Sequence, residues 1–205
     1  MMKKIPVYLF LGFLESGKTT LIQKTLANER FGNGENILLL VCEEGLEEYD
    51  LSKLKQNNIT LHVIEESSLL KLSDECGADR VVIEYNGMRH LNDLLMNKPE
   101  SRLIFRTVFA ADASTIAMYL QSCRSLVVDK VNICDLAIFD RCHRQDKGAV
   151  LINENAVRSS VPHSIFMLLS ILSQAYRMYC VCRTSLLTTQ IPTAQAQRMP
   201  SKPTI

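Results

Sequence analysis

A chain of 205 residues, 47% hydrophobic and 22% charged with a net charge of +1, is long enough for one α/β core and has the composition of a soluble globular protein. The near-neutral balance gives no pointer to nucleic acid or an anionic membrane as partner. Seven cysteines, an odd number without framework spacing, exclude a disulfide scaffold and point to a reducing compartment. No run reaches the roughly 18 apolar residues of a membrane span; the nearest, Ile165 to Leu172, is short and carries Ser170. The expected setting is the cytoplasm. Charge is uneven along the chain, however. The first 147 residues hold 21 acids and 18 bases, whereas from Gly148 onward one acid, Glu154, stands against five bases.

Ile5 to Leu11 is an apolar run followed by Gly12, four residues, and then Gly17, Lys18 and Thr19. Apolar residues at helical spacing come next, at Leu21, Ile22 and Leu26. Strand, loop and helix in this order are the context that the G-x-x-x-x-G-K-[ST] pattern requires. Glycines let such a loop wrap its N–H groups around a phosphate, and the helix turns its positive end toward the same anion. Gly12, Glu15, Ser16, Gly17, Lys18, Thr19 and Thr20 are therefore the expected phosphate-binding residues. Lys18 would reach the outer phosphates and the Thr19 hydroxyl would ligand Mg²⁺. A signal peptide is the competing reading of MMKK before an apolar run, but Glu15-Ser16-Gly17-Lys18 stands where a small-residue cleavage site would be needed.

After a Gly- and Asn-rich turn, Asn36 to Cys42 reads as a strand buried on both faces of a parallel sheet. Glu43 to Asp50 then packs five carboxylates into eight residues. Such a run is a solvated loop or a first helical turn in the plain reading, yet it leaves the carboxyl end of a strand, where open α/β sheets bind their ligands. Leu51 to Asn57 reads as a short helix, and Ile59 to Ile64 as a strand in which His62 is a structural histidine. Ser67 to Cys76 has helical spacing, Arg80 to Tyr85 is a buried strand, and Leu91 to Met96 a helix. Arg102 to Ala110 follows as a strand, Thr115 to Cys123 and Leu126 to Val131 as helices, and Asp135 to Phe139 as a strand. This alternation predicts right-handed crossovers and an α/β fold, a P-loop nucleotide-binding domain with a mostly parallel sheet flanked by helices.

From Gly148 the pattern weakens. Ala149 to Ile152 is a strand candidate and Ser164 to Tyr179 a helix candidate. Thr184 to Ile205, rich in Thr, Gln, Pro and Ser, reads as disordered. The expected division is a nucleotide-binding domain over residues 1–147 and a divergent or truncated segment over 148–205.

A phosphate loop needs a carboxylate at the end of a neighbouring buried strand to organise Mg²⁺. Glu84, after Val81-Val82-Ile83, is placed for that. Gly87, three residues later, lets the backbone approach a γ-phosphate without a side chain in the way. Lys18 and Glu84 are thus the expected catalytic residues.

These blocks together, GFLESGKTT at residues 12–20, CEEGLEEYD at 42–50 and VVIEYNG at 81–87, resemble the CobW family of P-loop GTPases. The family's loop GFLGSGKTT differs only at Glu15. Its switch block NEFGEIGID aligns without gaps on Cys42 to Asp50, matching at Glu43, Gly45 and Asp50. Its E-x-x-G segment falls on Glu84 and Gly87, and its strand ending in Asp-Ala on Asp112 and Ala113. The resemblance covers about residues 5–142. It implies GTP hydrolysis with Mg²⁺ held by Thr19, Asp50 and Glu84, coupled to metal delivery or to maturation of a client metalloprotein.

The sequence departs from the family at three places. The Gly-Cys-x-Cys-Cys metal motif has only Cys76 in the corresponding interval, so a transition metal such as Zn²⁺ lacks its thiolates there; Cys42 with the carboxylates behind it is the remaining thiol candidate. Where the family reads guanine with Asn-Lys-x-Asp, this chain has Asp140, Arg141, Cys142 and His143, with Arg141 placed to stack on a base. The segment after Gly148 matches neither the family's last sheet element nor its C-terminal domain. The alternatives to a slow GTPase are a nucleotide-dependent interaction switch, a remnant that binds nucleotide without turnover, and a small-molecule kinase, for which an arginine-rich lid is missing.

Overall fold

The computed structural model describes residues 5–32, 34–42, 49–64, 77–96, 102–142, 155, 157, 165–168 and 179–181. Its strands are β1 (Ile5–Leu11), β2 (Ile37–Val41), β3 (Ile59–Val63), β4 (Arg80–Glu84), β5 (Arg102–Asp112), β6 (Leu136–Asp140), β7 (Ile165–Leu168) and β8 (Tyr179–Val181). The helices are α1 (Lys18–Leu26), α2 (Glu29–Gly32), α3 (Leu51–Gln56), α4 (Asn92–Met96), α5 (Ile116–Ser122) and α6 (Arg124–Ile133). The strands form one sheet in the order β3-β2-β4-β1-β5-β6-β7-β8. Every neighbouring pair is parallel except β7 with β8. The expected parallel α/β architecture is the observed one.

Alternation along the central strands explains the layers, because successive side chains on a strand point to opposite faces. From β1, Val7, Leu9 and Leu11 enter one core while Phe10 enters the other. Likewise Leu38 and Leu40 of β2 go to the first, and Ile37, Leu39 and Val41 to the second. The first core is closed by Ile116 and Leu120 of α5 and by Val127 and Val131 of α6. The second is closed by Ile22 and Leu26 of α1 and Leu54 of α3. Both faces are covered, which is why β2 reads as the unbroken run ILLLV with all five residues buried. At the far end of the sheet the β1–β5 register slips between Val7, opposite Ile104, and Tyr8, opposite Arg106, so Phe105 is an extra residue in a bulge.

Two elements extend outward. β5 continues to Asp112 and α6 spans Arg124–Ile133, so both carry on past the residues their apolar spacing marks. One expectation is overturned where the range is described: within Ser164 to Tyr179, expected as a helix, Ile165–Leu168 is a strand paired in parallel with β6 and Tyr179 opens the antiparallel strand β8, while residues 164 and 169–178 lie outside the described residues. A short apolar run fits either period, and the open edge of β6 supplies the hydrogen bonds that decide it. The helix expected at Ser67 to Cys76, the strand at Ala149 to Ile152, His143 and the Thr184 to Ile205 tail lie outside the described residues, as do residues 43–48 of the acidic block. Among the described residues no helix is long and apolar enough to cross a membrane.

Candidate nucleotide site

The parallel order places the carboxyl ends of β1, β4, β5 and β6 side by side, and the expected site residues gather there. Gly12 leaves β1 with φ 144°, and a Cβ on it would lie 2.2 Å from the Ala110 carbonyl oxygen of β5. Only glycine fits. Gly87, beyond β4, is under the same pressure from the other side: a Cβ there would meet the Gly12 oxygen at 2.5 Å and Phe13 Cα at 2.6 Å. The backbone approach expected of Gly87 is thus, in this structure, an approach to the start of the phosphate loop. Between these contacts the loop turns through Glu15, held at φ 59°, and reaches Gly17 at φ 86°, which precedes the first turn of α1. A side-chain-bearing residue in the left-handed region stores strain that its surroundings must hold.

Lys18 is 4% exposed, and its Nζ donates to the carbonyls of Gly12 (2.9 Å) and Phe13 (2.8 Å). The ammonium is therefore folded back across the loop. Ser16 is also buried, and its Oγ has no hydrogen-bond partner among the described residues. A buried hydroxyl without a partner costs about 1–3 kcal/mol. This hydroxyl and the buried Lys18 ammonium stand in the same loop, and both are donors that a phosphate can take. The residues present fit a nucleotide phosphate.

Thr19 and Thr20 stand half-buried in the first turn of α1. Thr19 Oγ1 donates to Glu84 Oε1 at 2.9 Å, and Glu84 is 3% exposed at the end of β4. A hydroxyl and a carboxylate joined here suit Mg²⁺, a hard cation that takes oxygen ligands. The other Glu84 oxygen accepts from the hydroxyl of Tyr49 at 2.5 Å. Tyr49 is a site residue that the sequence reading missed. Asp50, by contrast, uses its carboxylate to cap α3: Oδ1 accepts from the N–H groups of Ser52 (3.1 Å) and Lys53 (3.2 Å), while Oδ2 pairs with Lys53 Nζ (3.1 Å). The Lys53 backbone hydrogen bond and then its side chain hold the Asp50 carboxyl below its ordinary value.

At the base side, Asp140 ends β6 and Arg141 follows with φ 56°. Arg141 does not project as a stacking platform. One guanidinium nitrogen donates to the Glu15 carbonyl (2.6 Å) and to Asp112 Oδ2 (2.6 Å), tying the tip of the phosphate loop to the end of β5. Asp112 also accepts from the Ser114 backbone N–H (2.7 Å) and hydroxyl (2.5 Å). Burial pushes the Asp112 carboxyl up, but the Ser114 bonds and the Arg141 charge outweigh it and hold the group below its ordinary value. Asp140 Oδ1 accepts from the Arg141 N–H at 2.7 Å, and its Oδ2 lies 3.0 Å from where a Gly17 Cβ would be. The carboxylate standing in the Asn position therefore packs against the phosphate loop.

Below the loop, Phe13 stacks on Tyr119 of α5 with ring centroids 3.9 Å apart. Lys130 of α6, fully buried, donates from Nζ to the Arg89 carbonyl at 2.8 Å and lies 5.7 Å from the Phe13 ring. Asp129 accepts from the Leu91 N–H at 3.0 Å. Helix α6 thus fastens the segment that carries Gly87. Among the described residues no group of three His, Cys, Asp or Glu is arranged to hold a metal ion.

No protein-family model matches the sequence, and no curated protein is significantly similar to it. Solved structures do share the fold. The hydrogenase maturation factor HypB from Archaeoglobus fulgidus superposes with a TM-score of 0.57 at 14% identity, over 82% of each chain. The Zn(II)-bound YjiA GTPase from E. coli gives 0.56 at 21% identity, over 76% of this chain and 54% of that one. FlhF complexed with GMPPNP and Mg²⁺ gives 0.55 at 13% identity, over 88% of this chain and 71% of its own. The chain spans about half the length of YjiA. At these identities the likeness shows the fold alone, a parallel α/β sheet with helices on both faces.

Proposed function

We propose that the chain is a CobW-like nucleotide-binding domain that takes up GTP with Mg²⁺ and hydrolyses it slowly. The observation that carries this is the loop itself. Gly12, packed tightly against the Ala110 carbonyl, the buried Ser16 hydroxyl, which has no hydrogen-bond partner among the described residues, and the buried Lys18 ammonium belong to one loop, whose helix places Thr19 on Glu84. The α1 N-terminus adds its dipole to the same loop.

In this reading Gly12, Glu15, Ser16, Gly17, Lys18, Thr19 and Thr20 surround the phosphates, and Gly87 lets the segment after β4 pack against Gly12 and Phe13 at the start of that loop. Thr19 and Glu84 hold the Mg²⁺, which when bound neutralises charge building on the phosphoryl oxygens. Asp50 joins that set when its cap on α3 opens. Lys18 holds charge at the outer phosphates, and Glu84 orients the water side. Catalysis is then positioning and charge stabilisation in a water-poor loop, with no covalent step on the protein. Arg141 and Asp140 lie at the base side and hold the loop tip there.

Coupling to metal delivery or to maturation of a client metalloprotein is supported by the resemblance in the loop, switch and Glu84 blocks, and by the fold shared with a maturation factor and a Zn(II)-bound GTPase. The test is phosphate release by purified protein on GTP and ATP, with and without Zn²⁺, Ni²⁺ or Co²⁺. Mg²⁺-dependent release that prefers GTP and responds to one of these metals is the expected result. Nucleotide binding without release would leave an interaction switch or a remnant.

A further inference from the structure

Phe13 is held from two directions. Its backbone belongs to the phosphate loop: the carbonyl accepts from Lys18 Nζ (2.8 Å) and from the Ser16 N–H (3.2 Å). Its ring is seated on α5 and α6, stacked on Tyr119 with centroids 3.9 Å apart and 5.7 Å from Lys130 Nζ. That is within the range at which an ammonium is attracted to an aromatic face. The same ammonium donates to the Arg89 carbonyl at 2.8 Å. Lys130 is wholly buried, and a charged amine taken out of water is costly unless strong contacts offset it. A hydrogen bond from a charged donor is such a contact. The backbone around Arg89 is held as well. The Met88 N–H donates to Asn86 Oδ1 (2.8 Å), the His90 carbonyl accepts from the Tyr85 hydroxyl (2.9 Å), and the Leu91 N–H donates to Asp129 (3.0 Å). The side chains of Met88, Arg89 and His90 are nevertheless exposed.

We propose that Lys130 is a positioning residue that couples the phosphate loop to residues 86–91, the segment that follows Glu84 and Tyr85. Phe13 carries the coupling, with its carbonyl on Lys18 and its ring beside Lys130. A phosphate held in the loop steadies Phe13, Phe13 steadies the Lys130 ammonium, and the ammonium steadies the Arg89 carbonyl. Occupancy of the loop is thereby expressed as resistance of residues 86–91 to opening, on a stretch whose side chains face solvent. This rests on the Mg²⁺–nucleotide reading above and adds to it a residue from outside the loop.

Trypsin reads the coupling at the bond concerned, because cleavage after Arg89 attacks the carbonyl that Lys130 holds and requires the segment to open first. Wild type, Lys130→Met and Val127→Ala are digested well below their Tm, with and without Mg²⁺ and a non-hydrolysable GTP analogue, and cleavage at Arg89 is timed by mass spectrometry. Binding of the analogue is followed separately by competition with a labelled nucleotide. With the analogue at about a hundred times its Kd, full linkage would slow opening by roughly a hundredfold, and wild-type cleavage is expected to slow by at least about tenfold. Lys130→Met keeps the side-chain length and loses the ammonium. It should still bind the analogue, yet its cleavage at Arg89 should slow by less than about threefold. Val127→Ala truncates a core residue of the same helix and removes neither contact, so it should keep the wild-type protection. Wild type that binds the analogue without protection at Arg89 overturns the coupling and leaves the site standing, whether or not the variant folds. Lys130→Met protected as wild type is, or Val127→Ala losing protection as Lys130→Met does, overturns it likewise. No binding of the analogue by wild type overturns the site reading and the coupling with it.

Discussion

Gly87→Ala probes the contact on which the site's shape depends. The added Cβ would sit 2.5 Å from the Gly12 carbonyl oxygen and 2.6 Å from Phe13 Cα. Both are backbone atoms of the phosphate loop, so neither can swing aside as the end of a side chain would. Ordinary carbon contacts lie at about 3.5–4.0 Å, so the two segments must part by about 1 Å. Overpacking of this kind costs ~1–3 kcal/mol. For a chain of this size 1 kcal/mol moves Tm by about 2–4 °C, giving an expected fall of about 2–12 °C. Gly32→Ala is the internal control, because its Cβ would meet only Ile37 Cδ1 at an unstrained 3.7 Å; a Gly→Ala change at a compatible site stabilises by ~0.4–1 kcal/mol. Thermal unfolding followed by circular dichroism, without nucleotide, compares the two. Nucleotide affinity measured afterwards should fall in Gly87→Ala and hold in Gly32→Ala. A Gly87→Ala protein as stable as Gly32→Ala would refute the close approach and the loop geometry built on it.

Glu84→Gln is expected to spare nucleotide binding and lower kcat, because an interaction made mainly in the transition state shows in turnover; steady-state phosphate release checks it, and an unchanged kcat would make Glu84 structural. The base preference should be weak, about tenfold or less for GTP over ATP, which is ~1.4 kcal/mol, because Asp140 packs on Gly17 and Arg141 is turned to Asp112. Competition titrations of labelled GTP against ATP test that, and a strong preference would mean that another residue reads the base. The lowered Asp112 carboxyl gives a pH signature. Its folded value is depressed, so it contributes stability above its ordinary value of 3.8 and loses it as pH falls through the lower folded value. Arg141→Ala removes one of the groups that depress it, and acid unfolding followed by circular dichroism should then begin at higher pH than in wild type.

The phosphate loop was legible because its residues are local in sequence and each has a backbone or charge reason to be there. The strands were legible because a parallel sheet covered on both faces needs continuous apolar runs such as Ile37–Val41. Tyr49 was not legible. Its role depends on meeting Glu84, 35 residues away, and a tyrosine beside five acids carries no periodic signal of its own. Arg141 shows the same limit differently. Its position suggested a base platform, yet the carboxylate of Asp112 and the carbonyl of Glu15 converge on the guanidinium and turn it inward. Asp50 likewise matched a metal-side position, and the local need of α3 for an N-cap takes its oxygens in this structure. At Ile165–Leu168, finally, a long-range partner decided a run whose own pattern fitted either period.

The central claim is that the loop around Lys18 holds a nucleotide's phosphates. Equilibrium titration of a fluorescent GTP analogue, with and without Mg²⁺, on wild type and Lys18→Ala tests it most directly, both proteins first shown to have the same circular dichroism spectrum. The account predicts saturable binding that Mg²⁺ tightens in wild type. In the variant it predicts a loss of at least about tenfold, since a hydrogen bond to a charged group is worth ~1.5–3 kcal/mol. Equal affinity in the two proteins, with the fold intact, would contradict it.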